Sequence, residues 1–148
     1  MAKSMAFWLA DRNVEFIEQP FLALNLKDRI PGTEITILTM GPPKAADIIR
    51  EGYYRGVDFG VMISDRRFGG ADTLATSYTL AKGIEKLAPF DLILGGRQAI
   101  DGDTAQVGPQ CADKLNLPQV TYVEEVLEIN DTEIIVRRRL EKGIEIVS

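Results

Sequence analysis

TEITILTMGPPKAADIIREGYYRGVDFGVMI, from Thr33 to Ile63, decides the fold. Thr33 to Thr39 is rich in β-branched and apolar side chains and is introduced by Pro31-Gly32, the pattern of a strand. Gly41-Pro42-Pro43 then turns the chain. A proline is pre-set for a first helical position, so a helix is expected to run to about Tyr54, with Gly56 ending it. Val57 to Ile63 reads as the next strand. A strand, a helix and a strand on short connections form a βαβ unit, which winds right-handedly into a parallel sheet.

Working towards the C-terminus, Ser64 to Ala71 (SDRRFGGA) is a turn-rich loop. Asp72 to Leu87 is a helix with Leu74, Tyr78, Ala81 and Ile84 on one face, and Asp91 to Leu94 is a strand. GGRQAIDGDTAQVGP, Gly95 to Pro109, separates that strand from a helical pattern over Gln110 to Leu115. The class that follows is α/β, an open parallel sheet with helices on both faces. After Pro118 the pattern changes. Val120 to Ile129, Glu133 to Leu140 and Ile144 to Val147 alternate apolar and polar, separated by Asn130-Asp131 and Lys142-Gly143, which predicts a C-terminal antiparallel hairpin or meander.

Working back towards the N-terminus, Phe16, Ile17, Phe21, Leu24 and Leu26 suggest an amphipathic helix over Val14 to Leu26, with Pro20 kinking or dividing its interior. Phe7-Trp8-Leu9 lacks periodicity and reads as a short helix or a docking segment.

With 148 residues, 45% hydrophobic and 26% charged, the chain fits a single domain, large enough to bury roughly two-thirds of its unfolded surface. A net charge of −5 argues against a nucleic-acid surface, and the local run Arg137 to Arg139 does not reverse that. There is no histidine and one cysteine, Cys111. A zinc site, a Cys/His pair and a Ser/His/Asp triad each need an imidazole or several thiolates, so side-chain catalysis of those kinds is excluded. No apolar run approaches a membrane span. The expected location is cytoplasmic.

In an open parallel sheet, ligands bind outside the carboxyl ends of the strands. Three loops fall there. Thr39 to Pro43 offers Met40 and Gly41 for close backbone approach. Ser64 to Thr76 offers Gly69 and Gly70 before a helix whose first turns carry Thr73, Thr76 and Ser77 on one face. Hydroxyls so placed beside helix-start amides suit phosphate oxygens. Gly95 to Pro109 offers Arg97, Gln98, Asp101, Gly102, Asp103, Thr104 and Gln106. Asp103 with Gln106 fits a capping box, while Gly108 as cap with Pro109 opening the helix fits almost as well. Two carboxylates oppose a phosphate, so Asp101 and Asp103 are expected to serve the loop or a ribose hydroxyl. Asp65, Arg66 and Arg67 read as a solvated loop, and Cys111 as a packing residue. The loops match neither a Walker A nor a GxGxxG pattern. With no side-chain catalyst in view, a bound cofactor would carry any redox chemistry.

GGRQAIDGDTAQVGPQ followed by LNLPQVTYVEEV resembles the beta subunit of electron-transfer flavoproteins. TILTMGPPKAADIIREGYYRGVDFGVMISDRRFGGADTLATSYTLA resembles the preceding third of that subunit, so nearly all of the chain from Thr33 onward is covered. The resemblance implies a Rossmann-like, adenine-nucleotide alpha-hydrolase-like domain. It also implies pairing with an FAD-carrying alpha subunit and electron transfer between an acyl-CoA or other dehydrogenase and an acceptor. The loop matching Gly96 to Val107, Ala105 included, and the residue matching Met40 would surround an adenine nucleotide, which is AMP in ordinary members and FAD in electron-bifurcating ones. SDRRFGGADTLAT is similar to the bifurcating group, where threonines matching Thr73 and Thr76 meet the diphosphate. FAD is therefore the expected cofactor, with NADH as electron donor.

The chain departs from the family in lacking a recognisable first strand and a KQVPDT-like turn, with Asn13 alone where an NPxD motif is usual. It also stops at Ser148, before the partner-clasping segment. The expectation is a fragment or short paralogue truncated at both ends, in which a missing central strand invites self-association through an exposed sheet edge. Two other readings stand beside it, a nucleotide-binding sensor resembling universal stress proteins and a truncated domain that binds nothing.

Overall fold

Strand β2 (Glu34–Met40) turns alternate buried side chains to opposite faces, and the domain is built on both of them. Ile35 and Ile37 pack with Ala23 and Leu24 of helix α1 (Gln19–Arg29) and with Ile48 and Ile49 of helix α2 (Ala46–Arg55). Leu38 and Met40 pack with Leu80 and Ile84 of helix α3 (Thr73–Leu87) and with Cys111 of helix α4 (Val107–Lys114). The period of two in β2 therefore creates two cores, which is why helices cover both faces.

The computed structural model describes residues 4–10, 19–97 and 104–148. The chain divides into two compact units, Met1–Leu117 and Pro118–Ser148. In the first, β1 (Ser4–Ala10), β2, β3 (Phe59–Ile63) and β4 (Leu92–Gly95) form one parallel sheet of order β3-β2-β1-β4. The order reverses between β1 and β4, which makes that gap the topological switch point. No described helix is long and apolar enough to cross a membrane.

The first strand expected to be missing is present. β1 lies between β2 and β4, with Met5 in register with Ile35 on one side and Leu92 on the other. A strand in the middle of a doubly covered sheet has no polar face to alternate, so SMAFWLA carries no period to detect. The gap that was to invite self-association is filled. The KQVPDT-equivalent turn would fall on residues 11–18, outside those described.

Three boundaries shift. Pro20 lies in the first turn of α1 rather than its interior, where a missing N–H costs nothing. The buried face of α3 is Ser77, Leu80, Ala81 and Ile84, while Leu74 and Tyr78 are 60% and 57% exposed. Helix α4 begins at Val107 after Gln106, so neither expected cap is used and Pro109 falls within its first turn. Asp103, the other half of the expected capping box, lies outside the described residues.

Helix α2 ends as expected. Gly56 adopts φ 104°, and the amides of Gly56 and Val57 donate back to Tyr53 and Gly52 carbonyls at 3.1 Å each, a Schellman-type end that only glycine enters without strain. Lys27 of α1 reaches the same corner. Its ammonium donates to Gly56 O at 2.9 Å and to both Asp58 oxygens at 2.6 and 2.7 Å. Asp58 also accepts from the Ile35 amide at 2.8 Å. Burial pushes the Asp58 carboxyl up, but Lys27 and the Ile35 amide outweigh it and hold it below its usual value of 3.8.

A depressed folded-state pKa stabilises above the unfolded value and is lost as pH falls through the folded one. Unfolding free energy is therefore expected to drop below about pH 4. Asp58→Asn should cost about 1–3 kcal/mol at pH 7 and flatten that acid limb, as read by urea unfolding at both pH values.

The second unit is a meander, β5 (Val123–Ile129), β6 (Ile134–Leu140) and β7 (Gly143–Val147), in the antiparallel order β5-β6-β7. Asn130 closes the first hairpin by accepting from the amides of Thr132 and Glu133 at 2.9 and 3.0 Å. The basic run is neutralised across the strands. Arg137 pairs with Glu125 at 3.0 Å, Arg138 with Glu145 at 2.5 Å, and Arg139 with Glu124.

Candidate functional site

All four strands of the first sheet run the same way, and their carboxyl ends align. Ala10 is in register with Met40 and Met40 with Ile63, while Trp8 is in register with Gly95. The segments after Met40, Ile63 and Gly95 thus emerge along one edge, as the parallel reading requires. The Gly41 amide donates to Ile63 O at 3.1 Å and ties the first two of these segments together. The Met40 side chain is 8% exposed within the α3–α4 core, so it is the backbone here that faces the edge.

Helix α3 starts at this edge because Asp72 caps it, its carboxylate accepting from the Ala75 amide at 2.8 Å. Of the three hydroxyl residues expected on one face, two remain partly accessible. Thr73 and Thr76 are half-buried, but Ser77 turns into the helix seam at 0% exposure. The Asp72 charge opposes an anion at the helix start, leaving the two threonine hydroxyls as the attractive groups on α3.

The loop after β4 approaches these hydroxyls. Thr73 Oγ1 donates to Gln106 Oε1 at 3.2 Å. Ala105 has φ 51°, in the left-handed region, and Gln106 follows in the right-handed region at φ −100°, ψ −28°. Such a left-then-right pair turns successive amides towards one point, the arrangement that cradles anions, and here it continues into the start of α4. Gly96 is half-buried, and Arg97 and Thr104 are exposed. Gln98, Asp101, Gly102 and Asp103 lie outside the described residues.

Arg67 is committed elsewhere. Its guanidinium donates to Asp65 at 2.8 and 3.2 Å, and with the Arg67 amide it lowers the Asp65 carboxyl to about 2. The loop is solvated, as the sequence suggested. Cys111 packs in the core with its thiol 3.4 Å from Ser77 O, and burial raises it to about 11. An open groove of about 490 Å³ lies beside α3, lined by Phe68, Gly69, Gly70, Ala75, Tyr78 and Thr79 among others; of the residues expected at the site, Gly69 and Gly70 border it, and Thr73, Thr76 and the 104–107 loop do not.

One contributor went unnoticed in the sequence: Gln110, whose Oε1 accepts from the Ser77 hydroxyl at 2.9 Å. Gln106 was expected in the loop, and it is its side chain that meets Thr73. The signal was present as matched spacing, since 73 and 77 are one helical turn apart and so are 106 and 110.

Residues 21–148 match the electron transfer flavoprotein domain family. The chain is similar to the caffeyl-CoA reductase-Etf complex subunit CarD of Acetobacterium woodii, 55% identical over 125 residues, covering 84% of this chain and 47% of that protein. It is 52% identical to the electron transfer flavoprotein subunit beta of Clostridium acetobutylicum, with the same coverage of 84% and 47%. It is 50% identical to the acryloyl-CoA reductase electron transfer subunit gamma of Anaerotignum propionicum over 142 residues, 95% of this chain and 51% of the relative. The chain thus spans about half the length of the curated relatives it matches.

Proposed function

The chain belongs to the electron transfer flavoprotein domain family, and on that premise we propose that it is the nucleotide-holding part of a beta-type subunit, with FAD at the carboxyl edge of its parallel sheet. The observation that carries the reading is the approach of Thr73 on α3 to Gln106 in the loop after β4, at 3.2 Å. It joins the start of α3 to the loop after β4 at the carboxyl edge of the sheet, which supports their addressing one ligand.

The residues fit a dinucleotide better than a monophosphate. The left-then-right backbone at Ala105–Gln106 and the amide of Val107 suit one phosphate. Thr73 and Thr76, a turn apart on α3, extend the donor set to a second. Thr73 would exchange its bond to Gln106 for one to a phosphate oxygen, releasing the glutamine amide to the ligand as well. Gly96 and the Met40–Gly41 backbone allow close approach of the nucleoside. Arg97 would supply the positive charge, while Gln98, Asp101, Gly102, Asp103 and Thr104 complete the loop, the carboxylates serving a ribose hydroxyl.

Bound FAD would supply the electron chemistry that the side chains do not. The rest of the proposed role follows from the family. An alpha subunit would complete the electron path, and an acyl-CoA or other dehydrogenase, or NADH, would feed it. Titration calorimetry of the chain with FAD, AMP and ATP tests the reading. FAD is expected to bind tightest. Equal affinity for AMP and FAD overturns the dinucleotide assignment, and a preference for ATP with a change of oligomer favours the sensor.

A further inference from the structure

We propose that Ser77 and Gln110 are positioning residues for the nucleotide site, fixing the register of α3 against α4 so that the Thr73 and Thr76 hydroxyls and the 104–107 backbone address the same phosphates; this rests on the nucleotide reading above. Ser77 is a polar side chain at 0% exposure. Its hydroxyl lies 2.9 Å from Gln110 Oε1 and 3.0 Å from the Leu74 carbonyl of its own helix. One turn nearer the sheet edge, Thr73 meets Gln106. Both pairs join residues 33 positions apart, and Cys111 Sγ to Ser77 O spans 34. The offset of 33 shared by the two side-chain pairs means that α3 and the start of α4 run parallel and are pinned in one register by polar contacts.

The remainder of the seam is apolar, with Leu80 and Ile84 of α3 near Val107, Cys111 and Leu115. Apolar contact is non-directional and tolerates small slides and rotations. The Ser77–Gln110 bond does not. The serine hydroxyl already has a helix carbonyl within reach, as is usual for serine inside a helix, so its solubility in the core does not depend on Gln110. What the bond adds is orientation. It sits one helical turn, about 5.4 Å, behind the Thr73–Gln106 contact, too deep to touch a ligand and close enough to set where α4 starts. A rotation of α4 would carry the amides of 105–107 away from the threonines, a displacement that harms phosphate binding and leaves a nucleoside pocket intact.

The test uses the full chain with Ser77→Ala, Gln110→Leu and the double variant, and equilibrium dialysis against FAD, AMP and adenosine. Each single variant is expected to weaken FAD and AMP about tenfold, equivalent to about 1.4 kcal/mol. The double variant should be no worse than the weaker single one, because one bond is lost in all three. Adenosine affinity should stay at its wild-type value. Wild-type phosphate affinities in the variants overturn the proposal, and so does a parallel loss of adenosine, which marks general loosening. If the wild-type chain binds none of the three, the nucleotide reading fails first and is seen to fail independently.

Discussion

Thr73→Val combined with Thr76→Val is expected to weaken FAD binding by about 10- to 100-fold, with little change in unfolding midpoint. A hydrogen bond to a charged oxygen is worth about 1.5–3 kcal/mol when made in a partly excluded site, and two half-buried threonines lie a turn apart at the start of α3 here. Valine keeps the shape and branching of threonine, so the α3 start capped by Asp72 should persist. The smaller loss should be seen for AMP, whose single phosphate is served by the 105–107 backbone. Calorimetry on the double variant reads both. Equal losses for the two ligands would mean that the threonines share one phosphate, and no loss for either removes them from the site.

Leu80→Ala is expected to lower unfolding free energy by about 2–5 kcal/mol. Leu80 is fully buried between β2 and the α3–α4 seam, packed with Leu38, Met40, Ile84 and Cys111. The control is Leu74→Ala on the same helix, which should change stability by no more than about 0.5 kcal/mol because that side chain is 60% exposed. Denaturant unfolding of the pair measures which face of α3 is inside. A larger cost at Leu74 would return the helix to the face expected from periodicity.

That misplaced face shows what the sequence could and could not convey. The stripe Leu74-Tyr78-Ala81 fits a helical period, but α3 pairs with α4 along a line that includes Ser77, and a serine at a core position breaks any hydrophobic count. β1 was hidden for the opposite reason. A central parallel strand is covered on both faces, and SMAFWLA is a nearly continuous apolar run without alternation. Where local chemistry dictates geometry, the reading held. Gly41-Pro42-Pro43 turns into a helix, Gly56 ends it with positive φ, and Asn130 closes a hairpin. The loops on the sheet edge could be listed from strand order alone, because a parallel sheet puts every carboxyl end on one side. The contacts between them, Thr73 to Gln106 and Ser77 to Gln110, depend on helix register, which no single segment encodes.

The two ends of the first sheet divide the work. At the amino end, Asp58 joins Lys27 and the start of β2 in a partly buried ion pair that serves stability. At the carboxyl end, a left-handed Ala105, an exposed Arg97 and two threonine hydroxyls lie around the loop after β4. Strain at a non-glycine residue persists where its surroundings hold it, commonly at ligand sites.

The most direct test of the central claim is a map of backbone amide shifts in the labelled chain as FAD is added. The expected result is a cluster of shifts at Met40–Gly41, Thr73–Thr76, Gly96–Arg97 and Thr104–Val107. Shifts confined to 118–148 or to the groove residues Arg67–Ala71, Tyr78 and Thr79, or none at saturating FAD, would contradict it.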